Sequence, residues 1–242
     1  MKLKYRLIKI FLLLIVLGFL MNFAVRRHND KSIDNVSILI DNSDYIHFIT
    51  NAMVYDIVNR SSKNEKKASK IKDIDISKTE ENLDTIPFIS NSNVYIDLNG
   101  SLNIHVSQKI PIVRIKTPND EFYLDQNGTK FPLSQNFSLP CLLVSGDIKA
   151  EEYKKLVKLS QLISEDKILK NHIISIDKDK KNSYNLLLNV AGVYIEYGDL
   201  KNNHQKLTNL KEFYKQYLDY VGFGVYKKIS LKYDNQIVAT KR

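Results

Sequence analysis

The chain has 242 residues, of which 43% are hydrophobic, and carries a formal net charge of +9. This length allows one large domain or two small ones, and the apolar content excludes wholesale disorder. The positive charge is spread along the chain without an arginine-rich, aromatic-interleaved stretch. A solvated basic surface is therefore favoured over binding to nucleic acid or to an anionic membrane.

The first predicted element is a membrane-spanning helix from Leu7 to Val25, with an uninterrupted apolar core. At 1.5 Å per residue, about 19 residues approach the ~30 Å thickness of a bilayer core. A cleavable signal peptide is the alternative, but it should end in small residues, and bulky residues followed by Arg26 and Arg27 stand here. Basic residues flank both ends and slightly favour a cytoplasmic N-terminus. The expected order is a cytoplasmic tail (1–6), an anchor (7–25) and a polar tether (26–32).

A strand from Val36 to Ile40 comes next, followed by an amphipathic helix from about Tyr45 to Val58. The polar run from Asp41 to Asp44 offers N-cap side chains for this helix. The segment from Arg60 to Asp75 is charged and nearly devoid of apolar residues, which predicts an exposed loop.

A second, short helix and a β-hairpin complete this part of the chain. Ser77 and Glu80 have the spacing of a capping box and predict a helix to about Asp84. Strict alternation of apolar and polar residues on both sides of Asn99-Gly100 predicts two strands joined by a type I′ turn. The order strand-helix-helix-strand-strand predicts two helices on one face of a three-stranded sheet, over residues 33–108.

Residues 109–242 predict a second, mainly antiparallel β domain with two helices. The predicted strands are Ile112–Ile115, Phe122–Leu124, Leu139–Val144, Ile173–Asp177, Tyr184–Val190, Val193–Tyr197, Lys228–Tyr233 and Ile237–Thr240. The predicted helices run from Ala150 to Ser164 and from Asn203 to Val221, with Gly222 as the C-cap of the second. The fold class is therefore α+β.

The sequence offers little for catalysis. The five histidines are scattered without metal-ligand spacing, and the single cysteine, Cys141, reads as a small buried hydrophobe. Glu151 and Glu152 lie in a predicted first helical turn and are interpreted as a solvated face. No nucleophile elbow, phosphate-binding loop or dinucleotide fingerprint is present. We therefore expect no enzymatic activity and no cofactor, and a role in binding or assembly.

The ordered series of segments resembles the FtsQ/DivIB family of bacterial cell-division proteins over nearly the whole chain. VYIDLNGSLNIHVSQKIPIVRI is similar to that family's POTRA hairpin leading into its β domain, and FYLDQNGTKFP to the turn that follows. ISLKYDNQIV, from Ile229 to Val238, is similar to its terminal strands. The abundance of lysine and asparagine hints at a Bacteroidetes-type member.

The resemblance implies a non-enzymatic scaffold of the divisome that helps control septal peptidoglycan synthesis. It implies a single-pass protein of the inner membrane, enriched at the division septum, with its bulk in the periplasm. It also implies two kinds of partner, small bitopic coiled-coil proteins of the FtsB/DivIC and FtsL types. In the family the partner surface lies at the open edge of the last strand, where a partner strand can add.

Carried onto this sequence, that surface comprises residues of the last two strands and one of the preceding helix. They are Tyr217, Tyr226, Ile229, Leu231, Tyr233, Gln236 and Val238. Core packing is the alternative for Ile229, Leu231 and Val238, whereas the aromatic Tyr226 and Tyr233 are favoured as interface residues.

Two other functions remain open. A POTRA-bearing protein of outer-membrane protein assembly or transport would need several such modules or a membrane barrel. An anchored cell-envelope hydrolase would need a nucleophile-base pair or a metal cluster.

Overall fold

The computed structural model describes residues 2–33, 35–61, 70–190, 192–218, 222–233 and 236–242. The chain divides into two compact units, an N-terminal unit of Met1–Gln108 and a C-terminal unit of Lys109–Arg242. Each unit combines helices with a β-sheet of its own, which confirms the predicted α+β class.

The N-terminal unit begins with a long apolar helix and continues as a β-α-α-β-β module, the order that the sequence predicts. Its elements are α1 (Lys2–Asn29), β1 (Val36–Ile40), α2 (Asn51–Ser61), α3 (Ile76–Asp84), β2 (Ile89–Ile96) and β3 (Leu102–Gln108). Among the described residues, one helical segment, Lys9–Arg27, is long and apolar enough to cross a membrane.

The sheet of this module has the order β1-β3-β2, with β1 parallel and β2 antiparallel to β3. Alternate residues of the central strand, Leu102, Ile104 and Val106, are buried, as their period-two pattern predicts. Val54 of α2 and Leu83 of α3 are also fully buried, and the two helices contact the sheet and each other. The apolar stripes of the helices and one side of the strands form the core of the module.

The predicted type I′ turn at Asn99-Gly100 is wrong. Gly100 has a positive φ of 94° but Asn99 does not, and five residues, Asp97 to Ser101, separate the strands. The carboxylate of Asp97 decides the turn, because its Oδ1 accepts the backbone N–H groups of Asn99 and Ser101, both at 2.9 Å. An aspartate at the first position of a turn can accept hydrogen bonds from backbone N–H groups of the following residues, and this stabilises a turn longer than two residues.

The predicted start of the first module helix is also wrong, because α2 begins at Asn51 and not at Tyr45. Thr50 supplies the cap, since its hydroxyl oxygen lies 3.3 Å from the Met53 backbone nitrogen. The predicted cap residue Asp41 is occupied elsewhere, where its carboxylate accepts hydrogen bonds from β3. The residues before α2 instead form a turn.

The start of α3 differs from the predicted capping box by two residues. Asp75 is the N-cap and accepts the Lys78 N–H at 3.2 Å, while Glu80 reaches across to the Val94 N–H at 2.8 Å. The exposed loop predicted for Arg60 to Asp75 is wrong at its C-terminal end, because a 3-10 turn, Ile71–Asp73, is mostly buried there. Residues 62–69 of that prediction lie outside the described residues.

Gln108 holds the turn before α2 in place from the end of β3. Its Oε1 accepts the Ile49 N–H at 3.0 Å, and its Nε2 donates to the carbonyls of Asp41 (3.1 Å) and Ile46 (3.0 Å). The side chain is 4% exposed, so it replaces water for three backbone groups.

We expect Gln108→Leu to lower the free energy of unfolding by about 1–3 kcal/mol, because it leaves buried backbone groups without partners. Urea unfolding of residues 30–242 measures the loss, and faster amide exchange at Ile49 localises it. The control is Gln126→Leu, at an exposed turn position of the C-terminal unit. Equal stability of the two variants would contradict the structural role of Gln108.

The C-terminal unit contains nine strands and three α-helices among its described residues. They are β4 (Val113–Lys116), β5 (Glu121–Leu124), β6 (Lys130–Pro132), β7 (Leu142–Ser145), α4 (Tyr153–Glu165), α5 (Lys167–His172), β8 (Ile173–Lys178), β9 (Tyr184–Leu188), β10 (Tyr194–Gly198), α6 (Asn203–Phe213), β11 (Tyr226–Ser230) and β12 (Val238–Lys241).

Two of the three helices were predicted, with shifted ends. A 3-10 turn, Ala150–Glu152, precedes α4, and α6 continues as a π-helical turn, Tyr214–Leu218. The predicted continuation to Val221 lies outside the described residues. The third helix, α5, has six residues and was not predicted; the Asp166 carboxylate caps it by accepting the N–H groups of Ile168 and Leu169.

The strands form one sheet in the order β12-β11-β10-β9-β8-β7-β4-β5-β6. Five of its pairings are antiparallel and three are parallel. Leu156 of α4 and Leu210 of α6 join Ile176, Ile195 and Ile229 of the sheet in one buried core. This arrangement places the chain's last strand at one end of the sheet.

The interpretation of Glu151 and Glu152 as a solvated face is wrong for the second of them. Glu151 is exposed, but Glu152 accepts hydrogen bonds from Lys178 Nζ and the Tyr184 hydroxyl, both at 2.7 Å. The Lys178 side chain is only 3% exposed, so this is a buried ion pair between the 3-10 turn before α4 and the sheet.

Candidate partner-binding edge

Within the described residues, the sheet of the C-terminal unit ends at β6 on one side and β12 on the other. An end strand carries backbone N–H and C=O groups that no neighbouring strand satisfies. The β6 end has three residues, and Pro132 removes one donor, which is a common protection of an edge. The β12 end, Val238–Lys241, has no proline. It is the end better suited to receive another strand.

The pairing of β12 with β11 is antiparallel and has a register shift between Tyr226 and Lys228. In that register Ser230 lies opposite Val238 and Ile229 opposite Ala239. On its other side β11 pairs in parallel with β10. Strand β11 is therefore an interior strand, and the free backbone belongs to β12.

Three of the residues predicted for the partner surface lie in the core. Ile229 and Leu231 are at most 2% exposed, and the Tyr226 ring packs 5.8 Å from the Phe213 ring of α6. Core packing was the stated alternative for Ile229 and Leu231, and it applies to their side chains and to that of Tyr226. The backbone of Tyr217 lies in the π-helical turn, but its side chain lies outside the described residues.

The other three predicted residues are accessible. Tyr233 is 55% exposed, Val238 is 43% exposed and Gln236 is also exposed. Tyr233 and Gln236 line a groove of about 250 Å³ beside α6, together with Asn202, Gln205, Lys206, Asn209 and Leu231. The structure therefore brings these two residues together, and places Val238 on the adjoining edge strand.

Basic side chains surround this edge, and sequence reasoning missed their arrangement. Glu196 on β10 pairs with Lys232 at 2.7 Å and with Lys228 at 3.2 Å. The hydrogen bond from Lys232 lowers the pKa of Glu196, and Glu196 in turn raises the pKa of Lys232. Lys227 and Lys241 are exposed, so cations outnumber this carboxylate. The edge suits an acidic partner segment.

Helix α6 forms one wall of the groove beside the edge, and Lys206 anchors this helix to the end of β10. Its Nζ donates to the Tyr197 carbonyl (3.2 Å), to the Asp199 carbonyl (2.9 Å) and to Asp199 Oδ1 (2.9 Å). The hydrogen bond from Lys206 lowers the pKa of Asp199. These contacts hold the polar residues of α6 next to Tyr233.

The described residues contain no group of three or more His, Cys, Asp and Glu side chains that could hold a metal ion. In the described part of the N-terminal unit, a serine and a histidine both contact one aspartate: Asp41 accepts from Ser107 Oγ (2.6 Å) and contacts His105 Nε2 (2.7 Å). Both contacts end on the carboxylate, so the histidine does not stand between nucleophile and acid as a hydrolytic triad requires. Cys141 is half-buried, and burial raises the pKa of its thiol to about 11.

Comparisons with known proteins find two family models along this chain. A model described as FtsQ/DivIB, C-terminal related, matches residues 110–240, and a model described as a POTRA-like domain matches residues 32–107. The first match covers more than half of the 242 residues. A search of curated proteins finds no match.

Proposed function

The chain belongs to the FtsQ/DivIB-related family, and on that premise we propose that it is a scaffold of the bacterial divisome. Members of this family are generally non-enzymatic scaffolds, and the family points to a role in cell division. The proposed role is to link early and late division proteins by protein-protein contacts and to help control septal peptidoglycan synthesis. The observation that carries the proposal is the succession of a POTRA-like module and an FtsQ/DivIB-related domain after one apolar helix.

The proposed location is the inner membrane, with the N-terminus in the cytoplasm and the β-α-α-β-β module and the C-terminal unit in the periplasm. The segment Lys9–Arg27, with a mean hydropathy of 2.0, fits a single-pass anchor, and a signal sequence is its alternative. Bulky residues and paired arginines at its end favour an anchor, since signal peptidase cleaves after small residues.

The proposed partners are small bitopic coiled-coil proteins of the FtsB/DivIC and FtsL types. Their attachment point is the β12 edge, where an acidic segment adds as a further strand and places side chains near Tyr233 and Gln236. Three observations support this site: β12 lacks proline, its neighbours are basic, and the groove beside it is polar and accessible.

Localisation of an N-terminal fluorescent fusion, expressed at its native level, tests the proposed function. We expect the full chain to be enriched at the division septum. The matched control is a fusion that ends at Ser32, which keeps the apolar helix without the β-α-α-β-β module and the C-terminal unit and should label the envelope evenly. Uniform envelope signal from the full chain would contradict the divisome role and favour a function in outer-membrane protein assembly.

A further inference from the structure

The tip of the β2–β3 hairpin lies at the end of the module sheet where the chain arrives from α1. Val36, the first residue of β1, is paired in parallel with Leu102, the first residue of β3, and the Asn35 carbonyl accepts the Leu102 N–H at 2.9 Å. A Cβ built on Gly100 would lie 3.4 Å from the Ser32 carbonyl oxygen. The turn from Asp97 to Ser101 therefore lies next to the residues that follow α1, which we call the exit of the apolar helix. Strand β1 runs away from this turn.

Further contacts fix this exit to the module. The Ile71 N–H donates to the Lys31 carbonyl at 3.1 Å, and Ser32 forms an isolated β-bridge with Lys70. Lys72 Nζ lies 2.6 Å from Asp30 Oδ1. The residues after α1 are thus bonded to the 3-10 turn Ile71–Asp73, and the hairpin tip stays close to the end of the helix.

Leu98 is 92% exposed at this tip. Its alternation with Val94 and Ile96 predicted a third inward-facing strand residue, but the turn begins at Asp97 and turns Leu98 out of the core. A single exposed leucine is ordinary on a protein surface. Leu98 is of interest because it lies next to the end of the apolar helix. Tyr95, 49% exposed at the end of β2, adds an amphipathic ring of the kind found at bilayer interfaces.

The surroundings of the tip are positively charged. Arg26, Arg27, Lys31 and Lys70 are exposed, whereas Asp30 is paired with Lys72 and Asp73 in the neighbouring 3-10 turn is buried. The Asp97 carboxylate accepts backbone N–H groups within the turn itself. Such a cluster of cations next to a membrane-spanning helix attracts anionic lipid headgroups.

The distance from the apolar segment to the tip also fits. From Arg27 the chain rises about 3 Å to the helix end at Asn29, and the three residues to Ser32 add at most ~10 Å. The headgroup layer on each side of a bilayer is roughly 5–8 Å thick. Ser32 therefore lies at most about 13 Å beyond Arg27, so it and the adjoining turn border the outer side of that layer.

We propose that the hairpin tip, with Leu98 as its apolar point, is a lipid-binding site that docks the module onto anionic headgroups of the membrane that α1 spans. The inference rests on the proposed anchoring by α1. Its consequence is that the module has a fixed height and orientation at the bilayer surface. The rest of the basic surface is not part of this site.

The test uses the full-length protein, reconstituted in vesicles of zwitterionic and anionic lipids, with a fluorescent label at the tip of the β2–β3 hairpin. Leu98→Cys is labelled with an environment-sensitive probe in a Cys141→Ala background. The control is Tyr45→Cys, 54% exposed in the turn that follows β1, at the opposite end of the sheet. Flotation after carbonate extraction reports insertion of α1 separately.

With the label at position 98, we expect blue-shifted emission, loss of quenching by aqueous iodide, and quenching by nitroxides on lipid headgroups. The label at position 45 should remain water-exposed. Water-like emission at both positions in floated vesicles would overturn the lipid-binding site and leave the anchor intact. A blue shift without nitroxide quenching would overturn it in favour of self-association. Failure to float would overturn both the anchor and the site.

Discussion

Lys178→Met is expected to lower the free energy of unfolding by about 3–5 kcal/mol, because it removes one partner of a buried ion pair. The Lys178 side chain is 3% exposed, and its Nζ donates to Glu152 Oε2 at 2.7 Å and to the Asp147 carbonyl at 2.8 Å. Without the ammonium, the largely buried Glu152 carboxylate loses the cation that pairs with it, and the Asp147 carbonyl loses the hydrogen bond from Lys178. The Tyr184 hydroxyl, which also bonds Glu152, would remain as the carboxylate's side-chain donor.

Urea unfolding of residues 30–242 measures this loss. The matched control is Lys180→Met, two residues further along in the exposed turn after β8, which should change stability by less than about 0.5 kcal/mol. The double variant Glu152→Gln with Lys178→Met should be less destabilised than the sum of the single changes, since no buried charge is left unpaired. Equal stability of Lys178→Met and Lys180→Met would show that the pair does not hold the fold.

The same pair predicts a pH dependence. Burial raises the pKa of Glu152, but hydrogen bonds from Lys178, from the Lys149 backbone and from Tyr184 outweigh it, and the net pKa is lowered. A carboxyl whose pKa is lowered on folding binds its proton more weakly in the folded state. Its stabilising contribution is therefore present above its unfolded pKa of about 4.3 and is lost as the pH falls through the lower folded value. The parent chain should lose this contribution in acid, and Lys178→Met should show a smaller loss.

The order and type of most elements followed from local sequence patterns. The period-two alternation of β3 and the helical spacing in α4 each report a buried face, and burial of that face is what the structure retains. Patterns of this kind need no knowledge of distant residues. Because these patterns report only which face is buried, they predict the type and order of the elements well but not the exact residues at which the elements begin and end.

Features that depend on distant partners were not predictable in this way. Glu152 looked like a solvated helix residue because its partner, Lys178, lies 26 positions later in the sequence, on β8. Asp41 looked like a helix cap, but its carboxylate bonds to Ser107, 66 positions away. A polar side chain has several acceptable local roles, and only the tertiary fold decides among them.

The burial of the residues proposed for the partner surface was not predictable residue by residue. The resemblance pointed to the last two strands, yet both were treated as available to a partner. Because β12 lies outside β11, the side chains of Ile229 and Leu231 stay in the core, and an aromatic such as Tyr226 packs on α6. Local patterns carry no signal for which of two short strands is outermost, and the resemblance alone indicated that the last strand is the edge.

Because β12 is the outermost strand, the substitutions that test the proposed interface should be made on β12. A charge or proline within Lys228 to Tyr233 would fall mostly on an interior strand and its buried neighbours, and lost binding would then mean lost folding. Val238 is a better position, since it is 43% exposed on β12 itself. A glutamate at position 238 would be exposed to solvent in the free protein and would contact the partner in the complex.

We expect Val238→Glu to weaken capture of the coiled-coil partners by at least about tenfold, or ~1.4 kcal/mol. The added carboxylate lies beside an incoming acidic segment and offsets part of the positive charge of the edge, where Lys227 and Lys241 are exposed. Co-purification from membranes, quantified against the parent chain, measures the effect. Capture by the parent should also fall with rising salt, since exposed charges contribute to it.

The matched control is Leu187→Glu, 37% exposed on β9, an interior strand of the same sheet. The two variants add the same charge at nearly equal exposure and differ in their distance from the edge. Loss of capture with Val238→Glu alone would assign binding to the β12 edge. Loss with Leu187→Glu alone would contradict strand addition and move the interface to the face of the sheet that carries Leu187, where a partner would bind through side chains and leave the backbone of β12 unused.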